Sequence, residues 1–259
     1  MDSLNSENPS ALVPAAPPRR KVWKFWGTVL WGVFAVAALL AGQALVLAYE
    51  VLHNGNLADI AATVRAAAGD GMTLSLSVIL GLPTLLAGLW LAIRFTETSF
   101  ADYLALRWTS GKNFLIGIFG LVGLTVFWTL VSRLLGHETS PGFMVGVVKS
   151  ASADDALWLL IVALCVAAPI AEESFARGFL YRGWSESRLG PIGAIVLSSM
   201  AWTGLHLQYH WYFLGEVFTL GLWFGYLRYR SGSIWPTIVL HSLNNLAALA
   251  QTMWLAGHS

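Results

Sequence analysis

Charge is what this 259-residue chain has least of. Lys, Arg, Asp and Glu together make up 11% of it, against about 25% in an ordinary soluble domain. Fifteen basic and fourteen acidic side chains cannot clothe a 28.1 kDa globule in a water-facing surface. That excludes a soluble enzyme, and it excludes a nucleic-acid binder that neutralises phosphates with a basic face. Cysteine is almost missing. Cys165 alone rules out an intramolecular disulfide and a multi-cysteine zinc site, and within Leu160–Val166 it reads as a small buried hydrophobe. Hydrophobic residues make up 56% of the chain, with a mean hydropathy of +0.64, too apolar for a disordered chain. The chain reads as an all-α integral membrane protein, a polytopic helix bundle.

Residues 1–21 are polar and rich in Pro, Ser and Ala. They cannot bury enough apolar surface to fold and read as a disordered cytoplasmic tail. The apolar run Val22–Val51 is too long for a cleavable signal and reads as a retained anchor. Further runs follow at about Met72–Ile93, Phe114–Leu135, Ala156–Leu180, Ile192–Leu207, Trp211–Leu227 and Ile234–Leu255. Most match the ~20 helical residues that cross the hydrocarbon. This gives seven transmembrane helices, or eight if Pro169 divides the long fourth run. Residues 22–152 hold the N-terminal transmembrane helices. With the N-terminus inside, 12 of the 15 Lys and Arg residues fall at or near the cytoplasmic side. The positive-inside rule therefore puts the N-terminus in the cytoplasm of a multi-pass cell-membrane protein and the C-terminus outside. Many of the thirteen tryptophans stand at run edges, as interfacial anchors do. Thr98–Trp108 is amphipathic and is expected along the inner interface. Gly117, Gly120 and Gly123, and Gly221 with Gly225, permit close helix approach.

Ionisable groups within apolar runs are costly, so each is a functional candidate. They gather in the C-terminal half: Glu172, Glu173 and Arg177 in the fourth run, His206 late in the fifth, and His241 and Asn245 in the seventh. Glu173 and Arg177 are i,i+4 and can pair on one helix face. Glu172 points about 100° away from Glu173, which makes it the less compensated acid. His241 and Asn245, also i,i+4, project from one face. Depths along the helices come to roughly 18 Å for Glu172, 21 Å for His206, 10 Å for His241 and 16 Å for Asn245. Three distant segments thus bring their polar groups into one slab. A packing reading stands beside this: a Glu–Arg pair can be interhelical glue, and a membrane histidine can simply bond a neighbour.

At these residues the sequence resembles the CAAX protease and bacteriocin-processing (CPBP, or Abi) family, which includes the type II CAAX prenyl endopeptidases. The family pattern E-E-x-x-x-R, F-x-x-x-H, H-x-x-x-N/D reads here as Glu172-Glu173-Ser-Phe-Ala-Arg177, Trp202-Thr-Gly-Leu-His206 and His241-Ser-Leu-Asn-Asn245. The resemblance spans about Leu157–Leu249, within a helical core at residues 153–256. Trp202 stands where the pattern has Phe, and Ala176 where a Phe commonly precedes the Arg; both are read as packing positions.

The resemblance implies an intramembrane endopeptidase acting on a membrane-embedded or membrane-anchored protein or peptide, of CAAX or other lipidated type. In it Glu172 and His206 activate a water, His241 and Asn245 meet the oxyanion, and Glu173 and Arg177 hold the helix and tune the acid. No cofactor is favoured. Zinc remains open, because Glu172, His206 and His241 form a two-His, one-carboxylate set, although there is no His-Glu-x-x-His. His210, i,i+4 from His206, reads as a loop histidine; Glu216 and Ser174 rank below the others. Two rivals stand beside the peptidase. One is a non-catalytic scaffold or immunity protein of the same fold. The other is a proton-coupled transporter, which would be expected to show repeat symmetry between halves; none is evident.

Overall fold

A computed structural model describes residues 22–53, 59–138 and 140–258, and every regular element among them is helical. The expected tail, residues 1–21, lies outside the described residues. The helices are α1 (Phe25–His53), α2 (Ile60–Gly69), α3 (Gly71–Arg94), α4 (Phe100–Leu104), α5 (Gly111–Leu135), α6 (Gly142–Ala153), α7 (Leu157–Ser185), α8 (Gly190–Gly204), α9 (Trp211–Ser231) and α10 (Trp235–Ala256). Four of them, α1, α3, α5 and α7, are long and apolar enough to cross a membrane. With 21 and 22 residues, α9 and α10 are long, but their polar side chains dilute them; α8 has 15 residues. The fourth run is one continuous helix, so Pro169 does not divide it.

Burial is inverted relative to a water-soluble protein. Phe119, Leu134 and Ile192 are exposed on the outside while Glu173 and Arg177 have no exposure at all, as hydrocarbon solvent requires. Helices α1 and α3 pack through small residues: a Cβ on Gly88 would stand only 3.3 Å from the Cα of Ala35. Gly221 and Gly225 seat α9 on α8 in the same way, against Ser199 and Ile195. Gly117 abuts Leu240 and Gly120 abuts Trp223, whereas Gly123 faces open space.

Short connections make successive long helices antiparallel, and contacts at their ends sort into two faces. On one face the Trp23 indole donates to the Ala92 carbonyl at 2.9 Å, and Arg107 Nε donates to the Gly232 carbonyl at 2.7 Å. On the other, Ser150 Oγ donates to Asp70 Oδ2 at 2.6 Å, and His137 stacks on Tyr212 with ring centroids 4.5 Å apart. The segment expected along the interface behaves differently. Only Phe100–Leu104 is helical, and Tyr103 and Leu104 are fully buried, plugging the bundle end rather than lying on it. Gly178 leaves that space, since a Cβ there would meet Leu104 Cδ2 at 2.8 Å.

Candidate active site

The polar centre is organised by α7. Proline has no N–H, and the helix absorbs Pro169 by widening. Two π-helical turns, Ala163–Ala167 and Ser174–Leu180, flank the α-helical turn that carries Glu172 and Glu173. The Ala168 N–H reaches five residues back to the Ala163 carbonyl. The next carbonyl, that of Leu164, then faces Pro169 and receives no backbone donor. Asn245 Nδ2, from α10, donates to it at 2.8 Å. At the second π turn the Tyr181 N–H bonds the Ala176 carbonyl, again five residues back. Returning to α spacing leaves the Arg177 carbonyl over, and Arg228 Nε donates to it at 3.0 Å. Each π turn is thus held by a side chain from another helix, as such turns at functional sites often are.

Glu173 and Arg177 pair at 2.9 Å with neither side chain exposed, as their spacing predicts. Arg177 Nη2 also donates to the Gly221 carbonyl at 3.0 Å, and the guanidinium lies 4.4 Å from the centroid of the Trp202 ring. Glu173 Oε1 takes a second partner, His241 Nδ1, at 3.0 Å. Its Oε2 and Arg177 Nε have no hydrogen-bond partner among the described residues.

Glu172, turned away from Glu173, keeps 23% exposure and lines a groove with a cavity volume of about 70 Å³. Its Oε2 lies 3.8 Å from His206 Nε2 and 3.9 Å from His241 Nε2. Three distant segments therefore do bring Glu172, His206 and His241 together. Asn245 is turned instead to the Leu164 carbonyl. His206 does not lie on its helix, as the sequence suggested. Helix α8 ends at Gly204, and His206 sits in the turn beyond, its Nδ1 3.0 Å from the Trp202 carbonyl. Glycine is a poor helix former, and the polar Gln208–His210 stretch follows it.

The ring hydrogens follow from these partners. A backbone carbonyl and an ion-paired carboxylate accept hydrogen bonds and cannot donate them. Nδ1 of each imidazole therefore carries a hydrogen, and Nε2 of each ring faces Glu172. The donor types suit zinc, and such anchoring of Nδ1 is common in metal-bound histidines. Yet no three His, Cys, Asp or Glu groups among the described residues are gathered closely enough to hold a metal ion. His210 precedes α9, with its ring beside Trp211, Tyr212 and His137.

Residues 154–247 match the family model for a type II CAAX prenyl endopeptidase, Rce1-like. That match supports reading this segment as a CAAX-protease-type domain. Neither the curated proteins nor the solved structures gave a match. The Rce1-like segment holds Glu172, Glu173, Arg177, His206, His241 and Asn245, whereas α1, α3 and α5 lie outside it.

Three features of the Rce1-like centre escape a reading of the sequence. Trp202, read there as packing, donates its indole N–H to Glu172 Oε2; the available signal was an indole in hydrocarbon, whose N–H must find an acceptor. Ala176 and Trp202 share one apolar cluster, so the larger ring at one departure offsets part of the volume lost at the other. Arg228, counted as an inner-face charge, is buried with its guanidinium 5.1 Å from the Tyr181 ring centroid. Nothing in the sequence separates it from Arg230.

Proposed function

We propose that this multi-pass protein is an intramembrane endopeptidase that hydrolyses a peptide bond in a membrane-associated protein or peptide, a CAAX-type lipidated tail being the substrate the family description suggests. The observation that carries this reading is the approach of Glu172 Oε2 to two imidazole Nε2 atoms, at 3.8 and 3.9 Å. Amide hydrolysis needs a polarised water, donors for the oxyanion and a proton for the leaving nitrogen. A water between Glu172 and His206 gives its hydrogens to those acceptors and turns a lone pair outward. As its oxygen bonds the scissile carbonyl carbon, one proton passes to Glu172. The C–N bond then breaks and that proton goes to the leaving nitrogen.

Asn245 has two amide hydrogens; one is committed to Leu164 and the second serves the oxyanion. His241 joins it when its Nε2 has taken a proton from the surrounding water, which it returns after turnover; its Nδ1–H is already directed at Glu173. Glu173 and Arg177 act through His241 and through α7, as positioning residues. This reading needs no metal. Metal analysis of the purified protein, with activity followed in chelator, tests this against a zinc-dependent version.

The proposed topology has seven spans, α1, α3, α5, α7, α8, α9 and α10, with the N-terminus cytoplasmic. Arg94, Arg182 and Arg230 at helix ends and Arg107 in the connection before α5 all stand on one face, which supports it. Glu172→Gln is expected to abolish cleavage while the protein stays inserted, read as a loss of new membrane-protein termini in cells. An active Gln variant removes Glu172 as the base.

A further inference from the structure

Gln43 interrupts an otherwise apolar stretch of α1, Phe34–Leu47. A carboxamide carries two donor hydrogens and an acceptor oxygen, and hydrocarbon satisfies none of them. Side chains of this kind usually hydrogen-bond a neighbouring helix. Among the described residues Gln43 makes no such bond. It lies across α3 at Gly81, where a Cβ would stand 3.2 Å from Gln43 Cγ and 3.4 Å from its Nε2. The glycine gives the side chain room without giving it a partner. Gln43 and Glu172 are the two polar side chains lining the groove between α1, α3 and α7, whose walls include Leu39, Val78, Leu85 and Phe175.

We infer that Gln43 is a substrate-binding residue whose carboxamide hydrogen-bonds a peptide group of an extended chain lying in this groove against Glu172. A carboxamide offers the N–H and C=O that a peptide group needs, in complementary order. Apart from Glu172 the walls are neutral and apolar, which suits an uncharged main chain with apolar side chains and offers no cation to an anionic ligand. Gln43 lies outside the Rce1-like segment, so α1 supplies a substrate contact that the family domain itself lacks. The inference rests on the peptidase reading for its choice of occupant, and the experiment below tests the two separately.

The probe is a quenched-fluorescent peptide ending in a farnesylated cysteine and three further residues. Its binding to Glu172→Gln protein in nanodiscs and its cleavage by protein with Glu172 intact are measured side by side, each with and without Gln43→Leu. One or two hydrogen bonds lost without a change of chemistry predict about tenfold weaker binding and about tenfold higher KM, with kcat within about twofold. N-methylating the peptide groups one at a time should reveal one position where Gln43 protein loses about tenfold and Gln43→Leu protein loses nothing further. Equal affinity and KM in the two proteins overturn the Gln43 site and leave the peptidase standing. Gln43-dependent binding without cleavage by the intact protein supports the site and overturns the peptidase. Neither binding nor cleavage overturns both.

Discussion

The indole N–H of Trp202 donates at 2.5 Å to Oε2 of Glu172, the oxygen that also faces both imidazoles. The same ring lies under the Arg177 guanidinium and meets the rings of His206 and His241 edge-on, at 5.2 and 5.3 Å. Trp202→Phe keeps an aromatic ring and deletes the donor. Hydrogen bonds to charged groups contribute about 1.5–3 kcal/mol, so kcat/KM should fall about tenfold to about a hundredfold with thermal stability little changed. Steady-state kinetics beside a melting curve checks this, and unchanged kinetics would return Trp202 to a packing role.

Among the described residues, Glu173 is the only carboxylate within ion-pair distance of the fully buried Arg177. Glu173→Leu strands the Arg177 charge and is expected to cost about 3–5 kcal/mol. Replacing Arg177 by Met as well should recover most of that stability, because two apolar groups need no partner. Activity should not return, since His241 Nδ1 has lost its acceptor. Chemical unfolding in detergent, paired with peptide cleavage, distinguishes the two effects.

Asn245 satisfies a carbonyl that Pro169 leaves open. Asn245→Leu should therefore destabilise by about 1–3 kcal/mol and also lower turnover. Adding Pro169→Ala restores a backbone N–H opposite Leu164, so the double variant should regain stability but not turnover. Stability that stays lost in the double variant would break this account of the π turn.

Outside the spans, Asp70 caps α3 by accepting the Thr73 N–H at 2.8 Å, and Ser150 Oγ joins it to α6 at 2.6 Å. Burial pushes its carboxyl up, but the Ser150 hydroxyl and the backbone N–H groups of Thr73 and Met72 outweigh that and hold it below the usual carboxylate range. A folded value below the unfolded one, about 3.9, contributes stability that is complete above about 3.9 and is lost as pH falls through the folded value. Ser150→Ala also removes the acceptor for the Gly71 N–H. It should cost about 1–2 kcal/mol at neutral pH and move the acid loss upward; unfolding followed between neutral and acidic pH reads both.

The helical class and the membrane setting were legible because hydrocarbon imposes them residue by residue: long apolar runs have few alternatives to helix. The Glu173–Arg177 pair was equally legible, being set by one helical period. The amphipathic Thr98–Trp108 segment was not, because burial of Tyr103 and Leu104 depends on the gap at Gly178, a distant partner. The place of His206 past the end of α8 was missed for a local reason: Gly204 stops a helix that the apolar run alone would continue.

By itself the sequence determined which polar groups hydrocarbon would force together: Glu172, Glu173, Arg177 and the histidines have no inexpensive place in lipid. Only the tertiary structure decided how they are wired. Asn245 turns to Leu164 because a π turn shifts which carbonyl meets Pro169. Trp202 reaches Glu172, and Gln43 lines the same groove. Hydrogen-bond partners depend on the rotation and offset of neighbouring helices, and the sequence of any one helix does not contain those quantities.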